Sequence, residues 1–333
     1  YDPPEHTRYR RLVQRPFGRP QVIGYEDAIR EIAREVVDEA LPEASTVHLD
    51  VTQRIAKQLP MRMLGRLLGV PDEDGPHLVE LGDALLGNFD PEMTQFPIDL
   101  VDTDEFKAMP FRSPAGIELY HYAEQQANLR RQCPMHDVIN TLLQPTTDGE
   151  SLTDRQFKNF FVLLVGAGND TSRYTMASMM KVLSEHPDQM RELQAAVGTN
   201  PALIESAVEE ILRYATVTMN FRRTATCDTE LRGKQIRKGD KVLIWFHSAD
   251  HDHDQFNDPY TFDIHRTPNE HVAFGLRSPH LCLGAQLARM EIRLLIEELL
   301  PRVKEWSVDG QVERLRSNFI GGMKHLPMTV VTR

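Results

Sequence analysis

Cysteine is scarce: Cys133, Cys227 and Cys282 are the only three in 333 residues, and they show no paired spacing. That excludes a disulfide scaffold or a cysteine-based zinc site and fits a reducing cytoplasm. No apolar run reaches the ~18 residues a membrane span needs. There is no Gly/Ser-rich linker, low-complexity tract or internal repeat, so one large domain over 1–333 is expected, although length alone would suggest two. An excess of positive charge is missing too. Lysine and arginine number 38 against 49 acids, a net charge of −11, which argues against nucleic acid as the main partner. The expectation is a soluble, cytoplasmic monomer. The sequence opens at Tyr1, without a methionine or signal peptide.

What is present centres on residues 269–300. A turn-rich loop from Phe274 through Arg277, Ser278, Pro279 and His280 reaches Cys282 and Gly284. An amphipathic helix then opens, with apolar positions at Leu287, Ile292, Leu295, Ile296 and Leu299. A cysteine ahead of a helix start sits in the field of unpaired N–H groups, which favours its thiolate. Such a thiolate suits the axial position of haem iron, and Gly284, lacking a Cβ, lets the backbone approach a flat macrocycle. A buried free cysteine is the plainer reading of Cys282 alone.

Upstream, the spacing predicts a helix beginning near Asp2 as its cap, with His6 and Arg10 on one face. Helices are also expected at 22–41, 51–68, 77–86 and 115–131. The proline- and acid-rich stretch 88–114 reads as a long loop, a candidate lid. The longest helix is expected at 153–185, capped around Ser151 to Asp154. Its apolar centre is interrupted by Gly166, Gly168, Asn169, Asp170 and Thr171. Two mid-helix glycines cost about 1 kcal/mol each against alanine, so a packing or functional reason is expected. The Thr171 hydroxyl can bond the Ala167 carbonyl and bend the helix. An acid–alcohol pair, Asp170 and Thr171, could relay protons. Next, a helix at 204–214 places Glu210 and Arg213 at i and i+3. Short strands and turns follow, over 218–222, at Arg232-Gly233, at Lys238-Gly239-Asp240 and over 242–246. A run of histidines and aspartates, His247 to Asp254, has the side chains of a metal site but no tetrahedral spacing.

These motifs, in this order, resemble the cytochrome P450 family. Phe274, Gly275, His280, Cys282 and Gly284 match its F-G-x-G-x-H-x-C-x-G loop. Arg277, Ser278 and Pro279 replace a glycine-containing segment and make the loop one residue longer, as in bacterial members acting on sterol side chains, branched lipids and terpenoids. The 167–171 segment is similar to A-G-x-[DE]-T, and 210–213 to E-x-x-R. The resemblance implies a mainly α fold with small β-sheets, the family's N-terminal helices and strands lying before Tyr1. It implies haem b held by Cys282, with Phe274, Gly284, Ala167 and Gly168 against it and His6, Arg10, Arg223 and His280 on its propionates. Glu210, Arg213 and Arg266 would form a structural network. Leu164, Val217, Met219, Phe221, Phe319 and Ile320 would line a substrate cavity.

The activity implied is monooxygenation with O2 as co-substrate, on a small apolar terpenoid, sterol or fatty-acid-like molecule. Electrons would come from a [2Fe–2S] ferredoxin and its NAD(P)H-dependent reductase, docking near Arg8, Arg11, Arg289 and Arg293. Two alternatives stand beside it. One is a peroxygenase using hydrogen peroxide, a branch that replaces the acid–alcohol pair kept here. The other is a non-catalytic haem-binding or helical fragment, which haem retention would separate from both.

Overall fold

The computed structural model describes residues 2–146, 149–276 and 278–333; Arg277 of the ligand loop lies outside them. The chain is mainly helical with small antiparallel sheets, as expected. Helices α1 (Glu5–Gln14), α2 (Arg19–Ile23) and α3 (Glu26–Ala40) lead to β1 (Thr46–Asp50). Then come α4 (Gln58–Leu68), α5 (Gly75–Leu86), α6 (Ala115–Gln132) and α7 (Val138–Leu142). The long α8 (Asp154–Glu185) is followed by α9 (Pro187–Ala196) and α10 (Pro201–Ala215). Strands β2 (Asn220–Thr224), β3 (Thr229–Leu231), β4 (Lys234–Ile236) and β5 (Lys241–Trp245) precede α11 (Phe246–Asp250) and α12 (Ala285–Leu299). The chain closes with β6 (Val303–Val308), β7 (Glu313–Arg314), β8 (Met323–His325) and β9 (Pro327–Thr332).

The framework is built around α8. Its 32 residues span about 48 Å at 1.5 Å per residue, and it packs against α4, α5, α6 and α10. Its N-terminus is fixed by a capping box within the expected stretch, formed by Thr153 and Gln156 rather than Ser151 and Asp154: the two side chains bond each other's backbone N–H groups. Helix α3 buries Ile29, Ile32, Ala33, Val36, Val37 and Ala40, a stripe at helical spacing that packs on α12. Strand β9 lies between β1 and β6, pairing Thr46 with Val331 and Val308 with Met328. Strand β2 pairs with β5, Asn220 opposite Trp245. Among the described residues no helix is long and apolar enough to cross a membrane.

Three expected elements differ. The helix expected at 22–41 breaks at Gly24 and Tyr25, whose N–H groups both turn back to the Val22 carbonyl; glycine is a poor helix interior residue. The helix expected at 51–68 opens as a π turn, Thr52–Ala56. Pro60 has no N–H to offer the Ala56 carbonyl, and the chain widens just upstream of it. Asp2 does not cap α1 with its side chain; its carbonyl accepts the His6 N–H at 2.9 Å.

Candidate active site

The loop carrying Cys282 is stitched by its own backbone. Gly275 adopts φ +77°, a left-handed conformation that suits glycine, and its N–H reaches the Val272 carbonyl at 2.7 Å. The Cys282 N–H donates to the Phe274 carbonyl at 2.9 Å. Ser278 accepts the His280 N–H at 3.1 Å. Cys282 is exposed, yet protein crowds it on other sides, and this burial raises its thiol pKa. The N–H groups of Gly284 and Ala285 and the charges of Arg10 and Arg289 work the other way. The helix-start field expected to favour the thiolate is therefore present but outweighed by desolvation.

Helix α1 brings its predicted residues to this loop. The His6 and His280 rings stand 4.1 Å apart, and His280 Nε2 lies 3.5 Å from Asp2 Oδ1. Burial, then His280 and Arg10, lower the His6 pKa, and its Nδ1 is buried without a hydrogen-bond partner among the described residues. Among the described residues Arg10 and Arg223 have no carboxylate partner. Arg223 stands on β2 with its guanidinium 5.9 Å over the Phe221 ring, and no contact joins it to His6, Arg10 or His280.

On α8, Phe161, Val162, Val165, Gly166, Asn169 and Asp170 are buried, whereas Leu163, Ala167 and Gly168 are exposed and Leu164 and Thr171 half-buried. This uncovered, mostly apolar stripe recurs at helical spacing. The Thr171 hydroxyl donates to the Ala167 carbonyl at 3.0 Å, as expected from the sequence. Gly168 serves a second purpose: a Cβ there would meet Leu64 Cδ1 of α4 at 3.1 Å.

Asp170 does not bond Thr171. Its carboxylate turns into a buried network, accepting from Arg173 at 2.6 Å. Arg173 also holds Asp83 of α5 at 2.7 and 3.2 Å, and Lys57 reaches Asp83 at 3.0 Å. Burial, against Arg173 but with the Asp83 charge, pushes Asp170 up to about 7. Burial opposes ionisation of Asp83 too, but Arg173 and Lys57 hold it below the usual range.

The structural network assembles around Glu210. Arg213 donates to it at 2.8 Å from two nitrogens, Arg266 at 3.1 and 3.2 Å, and Asn269 at 3.1 Å. The proposed cavity residues also converge. The Met219 N–H bonds the Phe319 carbonyl at 2.9 Å, and the Phe221 and Phe319 rings lie 5.4 Å apart. Val217 and Ile320, by contrast, are fully covered core, packed with Tyr174 and Leu315. In the His/Asp run, the His247 and His251 rings lie 4.4 Å apart and tilted, and His251 also meets the Tyr260 and Tyr214 rings. Among the described residues no His, Cys, Asp and Glu group could hold a metal ion.

Sequence reasoning missed Arg173, Asp83 and Lys57; only Arg173, at i+3 from Asp170, carried a local signal. It also missed Glu291 of α12, fully buried, pushed by burial up to about 8 and bonded to Ser172 beside Thr171. A lone acid on an apolar helix face was its only sign.

Residues 1–319 match the Cytochrome P450 family. The chain belongs to that family. It is 38% identical over 325 residues to the Steroid C26-monooxygenase of Mycobacterium tuberculosis, covering 97% of this chain and 70% of the relative. It is 35% identical over 328 residues to the Methyl-branched lipid omega-hydroxylase of the same species, covering 98% and 73%. The cytochrome P450 of Mycobacterium marinum in complex with pseudoionone superposes with a TM-score of 0.87 at 34% identity, covering 98% of this chain and 75% of that one. This P450 is thus a monooxygenase. Its residues fit the family's haem: a Cβ on Gly284 would meet nothing within 4 Å, and among the described residues His6 Nδ1 lacks a partner and Arg10 and Arg223 have no carboxylate to hold, so each can take one.

Proposed function

We propose that this P450 is a haem-thiolate monooxygenase that hydroxylates an aliphatic C–H bond, towards the end of a branched chain on a sterol- or lipid-like substrate. The terpenoid and fatty-acid-like classes belong to the same apolar range. The observation that carries the reading is the meeting of Cys282, at the start of α12, with His6, Arg10 and His280. Support for the substrate comes from the printed activities of the two mycobacterial relatives, one acting at a steroid C26 and the other at the omega position of methyl-branched lipids.

Haem b, ligated by Cys282, supplies the redox chemistry by which one O2-derived oxygen enters the C–H bond and the other leaves as water. His6, Arg10, Arg223 and His280 are the residues to bind its propionates, with Phe274, Ala167, Gly168 and Gly284 against its faces. Asp170 and Thr171 hold and pass protons, and an acid poised near neutrality suits that task. Leu164, Met219, Phe221 and Phe319 offer apolar surface to the substrate. Electrons come from a [2Fe–2S] ferredoxin and its NAD(P)H-dependent reductase. Of the four arginines expected to dock it, Arg8 pairs with Glu150, Arg289 with Glu209, and Arg293 with Glu26 and Glu297, whereas Arg11 meets no carboxylate among the described residues. We place the protein in the cytoplasm as a single-domain monomer.

The test is the absorption spectrum of the reduced protein under carbon monoxide, followed by spin-state titration with a sterol and a methyl-branched fatty acid. A band near ~450 nm and a substrate-induced spin shift are expected. Absence of haem from the purified protein overturns the proposal. Turnover with hydrogen peroxide at the ferredoxin-supported rate would favour a peroxygenase, against which the retained Asp170 and Thr171 argue.

A further inference from the structure

The helix-start loop is gripped from outside by a second set of side chains next to the Glu210 network. Glu209 of α10 takes two hydrogen bonds from Arg289 of α12, at 2.6 and 2.8 Å. His271 Nε2 lies 3.0 Å from the same carboxylate. The Ala273 N–H donates to His271 Nδ1 at 3.3 Å, so Nε2 is the ring nitrogen that donates to Glu209. The His271 side chain is 3% exposed. Arg289 lies with its guanidinium 4.7 Å over the Phe274 ring, a cation–π geometry. The Phe274 carbonyl in turn accepts the N–H of Cys282.

These contacts form one chain, from Glu209 through Arg289 to Phe274 and so to Cys282. Burial works against the Glu209 charge, but hydrogen bonds from His271 and Arg289 hold its pKa down at about 2. The carboxylate is therefore ionised at any working pH. The other flank of the loop is pinned separately: the Val272 N–H donates to Asp250 at 2.6 Å, and Asp250 also accepts from the Thr216 hydroxyl.

We propose that Glu209, His271 and Arg289 form a clamp that positions the Cys282 ligand by fixing Phe274, rather than leaving Arg289 as a docking cation for the electron donor. Arg289 acts through Phe274, so these are positioning residues. A planar fork suits this double duty, bonding a carboxylate along one edge while presenting its face to a ring; a lysine ammonium does not. The inference rests on the haem-thiolate reading.

The test compares the holoenzyme with Glu209→Gln, Arg289→Gln, Arg289→Lys and Phe274→Leu, and with the Arg289→Gln/Phe274→Leu double variant. The first readout is the reduced carbon monoxide spectrum: the share of the ~420 nm form and the rate of its growth on mild warming. Arg289→Gln and Glu209→Gln should each raise that share several-fold, Arg289→Lys should do so too, and the double variant should be no worse than Phe274→Leu alone. The second readout is electron transfer from a reduced [2Fe–2S] ferredoxin. Spectra unchanged in every variant, with electron transfer alone slowed in the Arg289 variants, would return Arg289 to docking and overturn the clamp. Additive effects of Arg289→Gln and Phe274→Leu would overturn it as well. If Arg289→Gln does not accumulate, Glu209→Gln and Arg289→Lys decide the matter by the same spectra. A wild-type protein without haem would instead strike at the parent reading.

Discussion

One nitrogen of Arg173, Nη2, donates both to Asp170 on its own helix at 2.6 Å and to Asp83 on α5 at 2.7 Å. Two buried carboxylates therefore share one guanidinium, with Lys57 supporting Asp83 alone. Removing the cation leaves two buried carboxyls without their shared donor, Asp83 charged in low dielectric. Arg173→Leu should destabilise the protein by about 3 to 5 kcal/mol, the range for breaking a buried pair from one side. Urea denaturation measures it, and adding Asp83→Asn and Asp170→Asn should recover much of the loss. A loss below that of an ordinary surface substitution would mean the network is not buried as described.

The same contacts bear on proton delivery. Asp170, pushed up to about 7, holds a proton to give below that pH and is increasingly ionised above it. Turnover should fall as the pH rises through about 7, and Asp170→Asn should be slower by roughly 10² and lose that limb. Thr171→Ala should lower product formed per NAD(P)H consumed, while Thr171→Ser, keeping the hydroxyl, should not. An unchanged pH profile in Asp170→Asn would remove Asp170 from the relay.

What the sequence made legible follows from how far apart the partners lie. The Thr171–Ala167 bond and the Glu210–Arg213 pair sit within one turn, and local spacing exposes them. Cys282, His6 and Arg10 were reached through ordered motifs rather than through any contact pattern. The Arg173–Asp83 pair joins residues 90 apart, and Glu209–Arg289 residues 80 apart; no periodicity signals such a meeting. The π turn ahead of Pro60 was legible in principle, since a proline leaves an upstream carbonyl without its donor.

Glu210 carries a denser load than any surface pair, accepting from Arg213, Arg266, Asn269 and the Asp263 N–H. Arg213 and Glu210 are both fully buried. Arg213→Met should therefore destabilise by about 3 to 5 kcal/mol. Because Arg213 also holds the carbonyls of Asp250 and Pro259, haem content should drop along with stability. Stability lost with haem content intact would show that the network does not reach the ligand loop.

Glu291 gives the protein a pH-dependent stability of predictable sign. Burial raises its folded pKa from 4.5 to about 8, while the Ser172 hydrogen bond pulls weakly the other way. The folded state therefore keeps a proton that the unfolded chain has released, and the associated stability is present below pH 4.5 and lost as the pH rises towards 8. The loss across that window is on the order of 4 kcal/mol. Glu291→Gln keeps the shape and removes the titration. Urea midpoints of the two proteins should converge near pH 5 and separate towards pH 8, the variant becoming the more stable. Parallel curves across that range would place water, or an unseen cation, beside the carboxyl.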